Sequence, residues 1–229
     1  LEEKAEFHKA ATFITPADNV LEIGCGEGLF TKYIQFQSYT GLEFSDDAIR
    51  KARERGLNVL REPIQQHALA HAEQYNVVCY FQVLEHVEHP GRFIRDSLEC
   101  LKPGGKLLLA VPSEDSFIKD AVNFYLNMPP HHASKWTDHT LKQIAGLYDL
   151  ELVELYHEPL HAIHKQFYVK TKLNKKFSDM LGRKPDAVNA GLVNKTIYAT
   201  SVLLSYPLQS FVRSGDITGQ SVLAVYRKH

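Results

Sequence analysis

The sequence predicts an α/β protein: a doubly wound, mostly parallel sheet with helices on both faces. Three observations carry this. The first half alternates short apolar runs with amphipathic helical patterns, the order expected of βαβ units. One run, Asn19-Val-Leu-Glu-Ile-Gly-Cys-Gly-Glu-Gly28, passes directly into glycines at alternate positions. Further on, Lys102-Pro-Gly-Gly105 separates a helical pattern from another apolar run, a strong stop between helix and strand.

Taken in order, strands are expected at Val20–Ile23, Tyr39–Glu43, Asn58–Arg61, Asn76–Phe81 and Lys106–Val111. The glycine loop opens a helix at Leu29. Ser45 caps the helix after the second strand, Asp46 and Asp47 sit in its first turn, and Gly56 ends it. Anions are favoured at that end of a helix by its dipole. Pro90 and Gly91 open a helix that runs to Leu101.

Composition sets bounds. The 229 residues suffice for one full core, or for a domain with an insertion. A net charge of −1 argues against strong non-specific nucleic-acid binding. Cys25, Cys79 and Cys100 lie in apolar contexts without metal-ligand spacing. Reduced thiols and a cytoplasmic setting are therefore expected. No signal peptide or long uncharged apolar run stands out.

The glycine loop carries the chemistry. A strand entering such a loop and leaving into a helix binds nucleotide-like cofactors. Glu22 stands just before the loop, where a carboxylate would repel a pyrophosphate. It would attract a cofactor bearing an ammonium and a sulfonium. The spacing is also G-x-G-x-G, at Gly24, Gly26 and Gly28 around Cys25, and not the dinucleotide pattern. The loop therefore points to S-adenosylmethionine. Glu43 closes the second strand about twenty residues on, where a carboxylate accepts from ribose hydroxyls. Phe44 follows and is suited to stack on adenine. Glu62, with Pro63 and Ile64 after it, closes the third strand and is placed for the adenine amino group.

Leu21-Glu-Ile-Gly-Cys-Gly-Glu-Gly28, Gly41-Leu-Glu-Phe-Ser45, Val83-Leu-Glu-His-Val87 and Leu101-Lys-Pro-Gly-Gly105 resemble the successive motifs of class I S-adenosylmethionine-dependent methyltransferases. The resemblance covers roughly residues 15–160. Glu62-Pro-Ile-Gln-Gln-His-Ala68 and Gln74-Tyr-Asn-Val-Val-Cys79 look most like ubiquinone-biosynthesis O-methyltransferases. The resemblance implies a seven-stranded Rossmann-like sheet with an antiparallel last strand. Leu150–Tyr156 and Ser221–Arg227 fit its sixth and seventh strands. It also implies that Phe81 lies beside the cofactor.

Methyl transfer from a sulfonium needs an acceptor held close and in line, and a hydroxyl acceptor needs a base. Gln82 sits where the acceptor should approach. His131 and His132, in the Pro-rich stretch Met128-Pro-Pro-His-His-Ala-Ser-Lys-Trp136, are the candidate bases. Ubiquinone-type and small-RNA methyltransferases use E-x-x-E-H to bind a divalent metal. Glu85 and His86 match its end, and His132 stands four residues before Trp136. Gln82 replaces the first glutamate and removes a charge that hard cations want, so no metal is expected.

The last segment is less determined. Residues 1–159 and 220–229 are expected to form the cofactor domain, with 160–219 a helical insertion between the last two strands. Lys165–Lys176 is basic, and Asn194–Arg213 reads as a helix with Ile197, Leu204, Leu208 and Phe211 in a stripe, kinked at Pro207. The stripe can pack on the domain or a second copy, cover the acceptor pocket as a lid, or contact a membrane surface. The function expected is O-methylation of a small hydroxylated acceptor. The alternatives are an RNA 2′-O-methyltransferase and a non-catalytic cofactor-binding module.

Overall fold

Alternating side-chain direction along the first strand decides the layering. Val20 and Leu21 point to opposite faces, and both are fully buried, so helices must cover both sides. The computed structural model describes residues 4–183, 188 and 191–229. Its strands are β1 (Asn19–Ile23), β2 (Ser38–Leu42), β3 (Val59–Leu60), β4 (Tyr75–Phe81), β5 (Leu101–Pro112), β6 (Leu150–Pro159) and β7 (Thr218–Lys228). They form one seven-stranded sheet in the order β3-β2-β1-β4-β5-β7-β6. Strands β1 to β5 pair in parallel, and β7 is antiparallel to both β5 and β6.

Every expected strand is present. β5 begins earlier than expected, at Leu101. Leu101 pairs with Tyr75, the Lys102–Gly105 turn bulges out, and pairing resumes at Val77 and Lys106.

The helices are α1 (Ala5–Ala11), α2 (Asp46–Glu54), α3 (Ile64–Ala70), α4 (Pro90–Glu99), α5 (Asp138–Leu147), α6 (Lys165–Met180) and α7 (Leu192–Leu208). On one face, Phe7 of α1 and Ile49 of α2 join Val20, Val77, Phe81 and Leu108. On the other, Ile64, Phe93 and Leu141 of α3, α4 and α5 join Leu21, Val78 and Leu107. The sheet is thus doubly wound, and β1 lies between β2 and β4. That is the switch point at whose carboxyl edge such folds bind ligands.

Three expectations need correcting. The segment after the glycine loop is a short 3₁₀ turn, Leu29–Tyr33, because Ile34 is already extended. Pro207 does not kink α7. It falls in the last turn, and the chain passes into a 3₁₀ turn at Gln209–Phe211. Finally, the apolar stripe of α7 is not its buried face. Ile197 is buried, but Leu204, Leu208 and Phe211 are exposed, and the inward positions are Ser201 and Ser205. The small serines let α7 approach α6 closely. The inserted stretch runs from 160 to 217, and its ends meet where Leu160 N–H donates to the Ile217 carbonyl at 2.7 Å.

Candidate active site

The glycine loop leaves β1 with its backbone folded back on β2. The amides of Gly24 and Cys25 both donate to the Leu42 carbonyl, at 2.8 and 3.2 Å. Gly24 has φ +69°, and a Cβ there would come within 2.6 Å of Val83 Cγ2. Gly26 has φ +54°, yet a Cβ there would meet nothing within 4 Å. Gly24 is therefore glycine for packing. Gly26 backs onto open space, the room that a ligand lying on the loop requires.

Glu43 ties the loop to the end of β2. Its Oε2 accepts from Gly26 N–H at 2.9 Å, and its Oε1 accepts from Phe44 N–H at 2.7 Å and Ser45 N–H at 2.9 Å. Phe44 stands 60% exposed beside it, an uncovered ring at the edge where adenine was expected. Cys25 is buried beneath the loop, and burial raises its thiol to about 12. It is an inert packing group.

Glu22 is 3% exposed, and the Tyr39 hydroxyl donates to its Oε2 at 2.6 Å. Burial lifts its carboxyl to about 8 against the opposing pull of that bond and of Lys4. It is a buried acid close to neutrality, able to ionise when a cation arrives.

Other predicted residues sit differently. Phe81 packs in an aromatic cluster with Phe7 and Phe30, ring centroids 4.7 Å from each. The Ile64 side chain is 2% exposed in the core, so only its backbone faces a ligand. Pro63 is the N-cap residue of α3. Glu62 Oε1 is engaged with His67 Nδ1 at 2.6 Å, and His67 Nε2 with the Tyr75 hydroxyl at 2.9 Å.

The candidate catalytic residues fall into two groups. Glu85, His86 and His132 converge, with one ligand atom of each within 4.8 Å of the others. The Pro-rich stretch is held there by Ala133 N–H, which donates to the Glu85 carbonyl at 2.7 Å. His86 Nδ1 bonds the His131 carbonyl at 2.6 Å, and Asn127 Oδ1 accepts from His132 Nδ1 at 2.8 Å. The His131 ring itself is exposed. Glu85 is 1% exposed, with both carboxyl oxygens lacking a hydrogen-bond partner. Burial lifts it to about 7. An unpartnered buried carboxyl between two imidazoles is a donor set suited to one divalent cation. Leaving out Gln82 does not remove it. The only tryptophan, Trp136, is buried against this loop, its Nε1 donating to Ser134 Oγ at 3.0 Å.

Gln82 belongs to the second group. It follows β4 directly, at φ +57°, a backbone conformation that costs energy in a non-glycine residue. Its Nε2 donates to Ser221 Oγ on β7 at 3.0 Å. It lines a cavity of about 500 Å³ at the carboxyl edge of the sheet, with Glu6, Glu158, His161, His164 and Ser221. His132 is not among the lining residues, so the two expected catalytic groups do not share this cavity.

Glu6 and Glu158 were missed by the sequence reading. Glu158 Oε1 accepts from the amides of Gln220 and Ser221, each at 3.0 Å. Glu6 is 5% exposed, with Glu158 and Ser221 as its polar neighbours. Burial, then the Glu158 charge, raise it to about 7. Glu6 lies in α1 and Glu158 near the end of β6, far apart in the chain, and nothing in the local sequence marked either one.

Residues 3–155 match a family described as a methyltransferase domain. The chain belongs to that family. The chain is 29% identical, over 56% of its own length and 64% of the relative's, to a ubiquinone biosynthesis O-methyltransferase of Salmonella arizonae. A namesake from Citrobacter koseri is 32% identical over 40% of this chain and 41% of that one. The matched stretch thus spans less than two thirds of these relatives. The fold is shared with an S-adenosylmethionine-dependent methyltransferase of Archaeoglobus fulgidus. That likeness has a TM-score of 0.63 at 17% identity and covers 98% of this chain and 92% of that one. A methyltransferase structure from Bacillus halodurans gives a TM-score of 0.61 at 18% identity, covering 98% and 97%. The open space over Gly26 and the acids Glu22 and Glu43 fit S-adenosylmethionine, the donor of the family this chain joins.

Proposed function

We propose that the protein transfers the methyl group of S-adenosylmethionine to an oxygen of a small hydroxylated molecule. The acceptor would be held between Gln82, α1 and the adjoining ends of β6 and β7. The observation that carries this reading is the cavity of about 500 Å³ beside Gln82, a size that suits a small organic molecule. In this division of labour, residues 1–159 and 220–229 hold the cofactor. The segment 160–219 supplies part of the acceptor's walls, through Leu160 to His164 and Ser214 to Gly215.

Bound cofactor supplies an electrophilic methyl on a sulfonium. The chain supplies position and proton traffic. The glycine loop and Glu43 fix the donor, and Gln82 orients the acceptor along the line of displacement. Glu6, in its carboxylate form, would take the proton of the acceptor's hydroxyl. Glu158, anchored by two amides, receives the hydrogen bond of the newly protonated Glu6. A base near neutrality is well matched to this task.

The test is turnover. The full chain is incubated with S-adenosylmethionine and, separately, catechols, monophenols, primary amines and a small RNA duplex, and S-adenosylhomocysteine is measured. Hydroxylated aromatics should be methylated. Turnover confined to amines or RNA, or none with any acceptor, would overturn the reading.

A further inference from the structure

Helix α7 is folded inside out. Its inward positions are Ile197, Ser201 and Ser205, and Gln166 Nε2 of α6 donates to Ser205 Oγ at 2.7 Å. Its outward side carries Leu192, Leu203 and Tyr206, which are 82, 72 and 61% exposed. At 3.6 residues per turn these three lie within about 60° of one another. Phe211, in the 3₁₀ turn that follows α7, is 81% exposed. A helix that meets only water puts leucine inside and serine outside. Reversal over this length means that the outer face is covered when the protein works.

Charge says by what. Between positions 162 and 213 the sequence has nine lysines and arginines against two aspartates. The rest of the chain has 17 against 25. From Leu192 to Val212 the only charged residue is Lys195. An uncharged apolar stripe thus lies within a strongly cationic helical pair on an otherwise anionic protein. Two copies would oppose like charges across such a face. An anionic bilayer accepts both parts, the aliphatic and aromatic side chains entering the headgroup boundary and the lysines reaching the phosphates. Among the described residues no helix is long and apolar enough to cross a membrane, so α7 would lie along the surface.

We infer that the outer face of α7, within this cationic helical pair, docks the protein onto anionic lipid bilayers. The same helical pair begins and ends at the acceptor cavity, at His161 and His164 before α6 and at Ser214 and Gly215 after α7. Docking would bring the cavity's wall to the lipid boundary. The inference stands on α7 itself and does not depend on which acceptor the cavity takes.

Vesicle flotation of the full chain tests it, with phosphatidylcholine alone and mixed with phosphatidylglycerol. Binding should be at least about tenfold stronger to the mixed vesicles and weaken with added salt. Leu203→Asp with Phe211→Asp should abolish it. Lys176→Glu with Lys195→Glu should weaken it more than about tenfold. Both pairs should keep the wild-type Tm and S-adenosylhomocysteine affinity. If the aspartate pair fails to fold, Leu203→Ser reads the same loss. No binding to mixed vesicles, or binding unaffected by the Leu203 and Phe211 changes, would overturn the inference. So would a dimer in sedimentation that Leu203→Asp dissociates while vesicle binding is absent; the face would then belong to a second copy.

Discussion

Glu22 carries a proton at neutral pH because burial opposes its charge. A cationic cofactor bound above it would be met by the ionised form, so binding should release that proton. In the free protein the carboxyl titrates at about 8, so affinity should rise with pH up to that value and level off above it. Calorimetry in buffers of different ionisation enthalpy measures the release, and Glu22→Gln should remove both the release and the pH dependence. Stability runs the other way. The folded-state pKa lies above the ordinary carboxyl value of 4.5, so the folded state binds the extra proton between the two. Stability should fall as pH rises through that window. At Gly26, valine should abolish cofactor binding by filling the open space, and the positive φ adds local strain. Glu43→Ala should weaken binding by about 1–3 kcal/mol; titration calorimetry on both variants checks this. The expectation of no metal meets its test at Glu85: a cation held there with His86 and His132 would displace the carboxyl proton, so zinc or manganese raising Tm in the wild type but not in Glu85→Gln would overturn that expectation. Glu22, Gly26 and Glu43 were legible because they stand at fixed offsets along one strand–loop–strand unit. Glu6 was not, because its meaning lies in Glu158, which the fold brings across from β6.

Elements were legible where burial is two-sided and local signals agree. β1 and β4 read as near-continuous apolar runs, and Ser45 caps α2 as expected, its Oγ accepting from Ala48 N–H at 3.4 Å. The insertion broke the rule. The period of α7 was readable, but the sense of its faces was not, because apolar periodicity identifies the buried side only when the helix packs on a core through that side. Here the seam with α6 is built from fully buried serines, Ser201 with its Oγ donating to the Ile197 carbonyl at 2.8 Å. Enlarging that seam should be costly. Ser201→Leu should destabilise by about 1–3 kcal/mol through overpacking, read as a lower Tm. The same change at exposed Thr200 should be nearly silent. If Ser201→Leu stabilises the protein, the seam is not close-packed.

At the scale of the molecule, the topology was legible from alternation and the family motifs, and the cavity was not, since its walls come from α1, β4, β6, β7 and both ends of the insertion. Replacing residues 162–217 with a short Gly/Ser linker should therefore spare S-adenosylhomocysteine affinity, which rests on β1 and β2. It should abolish methyl transfer by removing walls of the acceptor cavity. A shortened protein that keeps its kcat/KM would show that the insertion does not shape the acceptor site. The feature that makes this exchange feasible is the closure at its base. Leu160 and Ile217 share a hydrogen bond, and Pro159 faces Thr218 across the last two strands. A segment whose two ends already touch can be lengthened, shortened or swapped without moving any strand. On the proposed reading of the cavity, such a fold would change what it methylates by trading one cassette, while the strands and loop that hold the methyl donor stay in place.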